Sequence, residues 1–186
     1  MTFYETKLKG VFIIDIERVV DERGFFARSW CKKDFEAHGL NINAVQENVS
    51  FTERKGTLHG MHYQVAPYSE NKMIRCIAGA IYDVVMDIRP HSATFRDWIG
   101  VELTEGTGTM LYVPQGFAHG FISLRDHTTV NFIVTSYYNP AAERGIRYDD
   151  PAFNVNWPIK PVVISDKDKN HKPFVSQALG AKIISI

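Results

Sequence analysis

The sequence predicts an all-β fold, a barrel or sandwich of short strands. Short apolar runs rich in β-branched and aromatic residues recur along the chain between turn signals. Only one stretch combines helix-forming composition with a stop signal. At 186 residues and 45% hydrophobic, the chain has enough material for one domain with a proper core. Residues 1–186 therefore read as a single domain, its core spanning about 3–170 and a loose tail starting near 174.

The elements follow in order. VFIIDIERVV (Val11 to Val20) mixes continuous and alternating apolar character, as a strand does. CKKDFEAHGL (Cys31 to Leu40) is the helix, with Gly39 placed to end it. MIRCIAGAIYDVVMDI (Met73 to Ile88) reads as two strands joined at Ala78-Gly79-Ala80, with Tyr82, Val84, Met86 and Ile88 on one face. MLYV (Met110 to Val113), FISL (Phe121 to Leu124) and TVNFIVTSYY (Thr129 to Tyr138) continue the strand pattern. After Asn139 the composition turns to turn-formers, and this segment is expected to wrap over the barrel with short helical turns.

Lys plus Arg equals Asp plus Glu at 21 each, so charge gives no reason to expect nucleic acid or an anionic membrane as partner. Two cysteines, Cys31 and Cys76, make no disulfide framework and no metal-type spacing. The N-terminus MTFYETKLKG has no apolar signal region, and no window approaches the roughly 20 apolar residues of a membrane span. A cytoplasmic globular protein is expected.

Two motifs carry chemistry. GTLHGMHYQ (Gly56 to Gln64) holds His59 and His62, and GTMLYVPQGFAHGF places Gly108, Pro114, Gly116 and His119 in a G-x5-P-x-G-x2-H arrangement. The second resembles a cupin motif, which implies a jelly roll, the double-stranded β-helix, with a few short peripheral helices. Cupin metal sites need three or four convergent donors. Here Gln64 stands where a second histidine would belong, Glu70 is out of place, and Lys72 would repel a dication. No metal is expected. Taken singly, His59 and His119 could equally be packed, hydrogen-bonded core residues.

Further stretches narrow the resemblance: DERGFF (Asp21 to Phe26), VQENVS (Val45 to Ser50), TFRDWIGVEL (Thr94 to Leu103), YYNPAAERGIRYDDPAF and ISDKD (Ile164 to Asp168). With the two motifs above they resemble, in order and over about residues 3–170, the dTDP-4-dehydrorhamnose 3,5-epimerase family. The resemblance implies an isomerase that needs no cofactor and acts on a nucleoside-diphosphate 4-keto-6-deoxyhexose. A base removes a proton beside the C4 ketone, an enolate forms, and a proton returns on the opposite face. His62 matches the base, Asp168 its carboxylate partner, and Lys72 the cation near the sugar carbonyl. Arg23 and Phe26 match residues that reach the nucleotide from a neighbouring subunit. Gln46 and Asn48 match contacts to nucleotide and sugar, and His119 a polar substrate contact. Tyr138 could stack on the base, and Glu143 and Lys167 stand at matched positions. A homodimer is also implied, as is a place in bacterial surface-polysaccharide (O-antigen, lipopolysaccharide) synthesis.

Three departures stand out. Phe132 occupies the position of the family's acid tyrosine, keeping the ring without its ionisable proton. The expectation is inversion at one centre, C3. His59 replaces an arginine that resembles a diphosphate anchor, and imidazole does not reproduce a guanidinium fork. Arg28 replaces a glutamate near the nucleotide pocket. The reversed charge puts thymine recognition in doubt and suggests CDP rather than dTDP. Behind this reading stand, in order, an ordinary dTDP-linked 3,5-epimerase with a compensated acid, a catalytically silent sugar-nucleotide-binding cupin, and a metal-dependent cupin.

Overall fold

The computed structural model describes residues 1–174. Among these, the elements run β1 (Thr2–Glu5), β2 (Phe12–Asp15), β3 (Arg18–Asp21), β4 (Gly24–Ala27), α1 (Lys32–Ala37), β5 (Gln46–Thr52), β6 (Thr57–Gln64), β7 (Lys72–Ala78), β8 (Ala80–Asp87), β9 (Trp98–Thr104), β10 (Met110–Val113), β11 (Phe117–Ser123), β12 (Thr128–Val134), β13 (Glu143–Gly145), β14 (Val163–Ile164) and α2 (Asp166–Lys169). One sheet has the order β1-β2-β10-β7-β12-β5. The facing sheet runs β13-β6-β11-β8-β9, with β14 added parallel to β6. The hairpin β3–β4 stands apart. Two sheets built almost wholly from antiparallel pairs, linked by strands that pass from one to the other, make the expected jelly roll.

The joint at Ala78-Gly79-Ala80 shows how this arises. β7 and β8 are consecutive but do not pair as a hairpin: β7 pairs with β10 and β12, β8 with β11 and β9. Gly79 makes the corner at φ +77°, where a Cβ would also lie 2.4 Å from the Thr128 hydroxyl.

Alternation then distributes side chains to three apolar clusters. Ile81 and Val85 of β8 join Ile74, Leu111, Val130 and Phe121 between the sheets. Val84 and Met86 face outward, with Tyr82 and Ile88 beside them, and are covered by Ile146, Phe153, Trp157 and Phe174. The other sheet's outer face packs Ile14, Met73 and Met110 against Phe35 of α1.

Local limits differ from the sequence reading. The run Val11 to Val20 breaks into β2 and β3, because β3 leaves the sheet to form the hairpin. The helix is confined to Lys32–Ala37, with Gly39 at φ +71° closing it. Phe174, expected to begin a loose tail, is instead buried against Phe153, and its amide donates to Asp150 Oδ2. An apolar ring with a covered face to fill anchors the chain there. Residues 175–186 lie outside the described residues. No described helix is long and apolar enough to cross a membrane.

Candidate active site

The site grows from β6 and β11. His59 and His62 are three residues apart, so a regular strand would place them on opposite faces. The β6–β11 register shifts between His119 and Phe121, where Gly60 (φ +113°) meets Gly120. A Cβ on Gly60 would lie 2.7 Å from the Gly120 Cα, and one on Gly120 would lie 2.5 Å from the His59 carbonyl. Only paired glycines allow that approach. As a result His59, His62, His119 and Phe121 line one cavity of about 160 Å³ between the sheets, with Ser50, Lys72 and Phe132 from the facing sheet. His62 and His119 are direct partners across the strand pair.

His62 Nε2 lies 2.7 Å from Asp168 Oδ1. Asp168 is 106 residues away in sequence. It reaches the site because α2 packs under β6, with Ser165 capping the helix by accepting from the Asp168 amide at 3.1 Å. The second carboxylate oxygen accepts from the Gly60 amide at 3.2 Å. Burial pushes Asp168 up, but the hydrogen bond and charge of His62, then the Gly60 and Ser165 contacts, outweigh it and bring the carboxyl down to about 2. An ionised carboxylate therefore receives the Nε2 proton, which leaves Nδ1 as the basic nitrogen of His62.

On the facing sheet Lys72 Nζ sits 3.2 Å from Glu70 Oε1, both side chains about nine-tenths buried. Gln64 Nε2 donates to the other Glu70 oxygen at 3.1 Å. The out-of-place carboxylate of the sequence thus proves to be the lysine's counter-ion. His119 carries a partner of its own: its Nε2 lies 2.8 Å from Asp83 Oδ2. Burial raises Asp83 above the usual carboxylate range, against the pull of His119 and Lys72. His59 Nε2 meets the Thr52 hydroxyl at 3.0 Å and its ring stacks on Phe121. Burial pushes its pKa down, Asp168 opposing, so a neutral imidazole stands at the position of the anchor arginine.

Outside the cavity's lining, the matched residues Gln46, Tyr138, Glu143 and Lys167 bind one another. The Tyr138 hydroxyl donates to Glu143 Oε2 at 2.8 Å, Lys167 donates to Glu143 Oε1 at 2.6 Å, and the Tyr138 amide donates to Gln46 Oε1 at 2.8 Å. Asn48 lies opposite Phe132 on β5, on the inward-facing side of the strand with Gln46 and Ser50. Arg23, Phe26 and Arg28 are not brought to this cavity within one chain. All three are exposed, on or just after the hairpin, and Arg23 is paired with Asp21.

Sequence reasoning missed Asp83, Glu70 as a counter-ion, and His171. Asp83 had a signal, a carboxylate in the middle of the apolar run AIYDVVMD. His171 Nε2 lies 3.6 Å from Asp168 Oδ1, and the donors of His62, Asp168 and His171 all fall within 4.8 Å of one another. This set does not fit a divalent ion. Asp168 already accepts from His62 and Gly60, and Lys167, Arg144 and Lys172 share the cleft with His171.

A family model described as dTDP-4-dehydrorhamnose 3,5-epimerase matches residues 5–176. The dTDP-4-dehydrorhamnose 3,5-epimerase of Shigella flexneri is 40% identical over 94% of this chain and 97% of its own length. The crystal structure of the Bacillus anthracis enzyme of that name, with TDP and PPi bound, superposes with a TM-score of 0.89 at 37% identity, over 92% of this chain and 98% of that one. A 3'-monoepimerase from Streptomyces bikiniensis, in complex with dTDP-quinovose, gives 0.87 at 30% identity over 95% and 90%.

Proposed function

The chain belongs to the dTDP-4-dehydrorhamnose 3,5-epimerase family, and from that premise we propose that it epimerises a nucleoside-diphosphate 4-keto-6-deoxyhexose, at C3 alone. The single observation carrying the proposal is the His62–Asp168 pair opening onto a cavity whose far wall holds Lys72 and Phe132.

The C4 ketone acidifies the neighbouring C–H bonds. Nδ1 of His62 takes the C3 proton, and the ionised Asp168 stabilises the imidazolium that forms. General-base catalysis of this kind supplies about 10²–10⁴ in rate. The Lys72 ammonium faces the enolate oxygen, a placement that contributes about 3–4 kcal/mol in comparable sites. Glu70 is that lysine's buried counter-ion, 3.2 Å away. Phe132 offers no proton, so two different carbons are not served from its wall. Reprotonation at C3 falls to water or to another hydroxyl in the cavity. The existence of a 3'-monoepimerase among the structural relatives agrees with a one-centre version of this scaffold.

We read the nucleotide as a pyrimidine diphosphate. Arg28 favours CDP, since it reverses the charge the family carries at that position of the nucleotide-reaching segment. The dTDP reading rests on the relatives' names and the TDP in one of their structures. The exposed Val19, Val20, Phe25 and Phe26 of the hairpin fit a homodimer in which Arg23 and Phe26 reach the partner's nucleotide site.

The deciding experiment incubates the protein with dTDP-, CDP- and GDP-linked 4-keto-6-deoxyglucose in D₂O. Deuterium should enter C3 with inversion and leave C5 protonated. Label with inversion at both carbons removes the one-centre reading, a clear preference for dTDP removes CDP, and no exchange with any substrate removes the enzyme itself.

A further inference from the structure

We propose that His171 is a positioning residue for the base, seating Asp168 at the same carboxylate oxygen that faces His62. This rests on reading His62–Asp168 as the base pair.

Three observations carry it. First, His171 Nε2 is 3.6 Å from Asp168 Oδ1, the oxygen that already faces His62. That is too long for a formed hydrogen bond and close enough to confine the carboxylate. Second, the His171 ring stands edge-on to the His62 ring, 6.2 Å between centroids at 81°. His62 thus has the carboxylate at one nitrogen and a rigid aromatic wall beside it. Third, the fold makes room for this ring. Gly145 pairs with His62 on the neighbouring strand, and a Cβ on Gly145 would lie 2.0 Å from the His171 Nε2. Gly145 has no positive φ to explain it, so the ring's space is the physical requirement for glycine there.

The His171 Nε2 is buried and has no hydrogen-bond partner among the described residues. Burial lowers the His171 pKa, with Asp168 opposing and His62 and Lys167 adding to the drop, which favours the neutral ring. The charged or titratable groups around it are His62 of β6, Asp168 and Lys167 of α2, Glu143 and Arg144 of β13, and Lys172. A neutral ring amid these charges does not compete with His62 for the proton. It excludes water from one side of the carboxylate and so strengthens the coupling between Asp168 and His62.

The test uses His171→Ala, His171→Asn and Gly145→Ala, with His62→Ala as control, in the full-length protein. Thermal melts first select the variants that fold. The readouts are the kcat and KM of C3 deuterium exchange, the pH profile of kcat/KM, and the ¹⁵N spectrum of the His62 ring in the free protein. His171→Ala should lower kcat about tenfold to a hundredfold, the range expected of a misplaced reacting group. KM should stay within about twofold, because no substrate contact is removed. The acid limb of kcat/KM should move to lower pH, since a better hydrated Asp168 stabilises the His62 imidazolium less. Gly145→Ala should reproduce the effect by displacing the ring, and the double variant should be no worse than either single one.

A His171→Ala protein with unchanged kcat, pH profile and His62 spectrum overturns the inference. Additive losses in the double variant overturn it as well. If His62→Ala still exchanges C3, the reading of the base has failed instead. The His62 spectrum of the free protein then still reports whether His171 and Gly145 position the ring.

Discussion

Replacing Asp168 by asparagine keeps the shape of the group that holds His62 and removes its charge. In the native site the carboxyl is held near 2, against an ordinary value of 3.8. That depression corresponds to about 2 kcal/mol favouring the ionised form, most of it from His62. The same coupling, read from the imidazole's side, stabilises the protonated base after it takes the C3 hydrogen. Its loss alone predicts about a thirtyfold fall in kcat. An amide can also turn its NH₂ toward Nε2, which forces the proton onto Nδ1 and leaves the nitrogen that faces the substrate unable to accept one. In a Ser-His-Asp triad the corresponding change costs about 10⁴. The expected fall for Asp168→Asn therefore lies at about 10²–10³, with KM little changed. The assay is C3 deuterium exchange followed by NMR, with circular dichroism to confirm the fold. A folded Asp168→Asn protein that retains a third or more of wild-type kcat refutes the reasoning, because the pair would then carry no catalytic charge.

Phe132→Tyr places a hydroxyl on the far wall of the cavity, and deuterium exchange should then appear at C5, where the one-centre reading expects none from the native protein. Lys72→Met strands the buried Glu70 and should cost about 3–5 kcal/mol of stability along with most of kcat. Adding Glu70→Gln should return the stability and leave the activity lost, a separation that denaturant melts and exchange assays together reveal. Asp87, wholly buried, accepts from Arg89, Ser92 and Thr94. Burial pushes its pKa up, but these bonds bring it to about 2. Since its folded-state pKa is depressed, its contribution is complete above about pH 4 and lost as pH falls through about 2. Asp87→Ala should lower stability at pH 7 by about 3 kcal/mol and flatten the acid limb of a stability-against-pH curve.

By itself the sequence determined what local physics can determine. Alternation over Ala80–Asp87 put Tyr82, Val84 and Met86 on one face, which the packing shows to be the outer one, and the glycines at 39 and 79 marked a helix end and a corner. Family motifs carried His62, Lys72 and Asp168 to one expected site, and the cavity does contain the first two, with the third behind them. The partners of these groups came from the folded chain alone. Glu70 was legible as a carboxylate but not as the counter-ion of Lys72, because that depends on how the loop before β7 turns inward. Asp83 gave a local hint, yet its partner His119 is 36 residues away and is chosen by the β8–β11 register. His171 is just three residues past Asp168, and its place beside His62 depends on a gap left by Gly145 on another strand. Strand pairing and burial bring distant groups together, and they follow the free energy of the whole packed core. Residue spacing records periodicity along one element, so it names which side chains could do chemistry and leaves their neighbours to the fold.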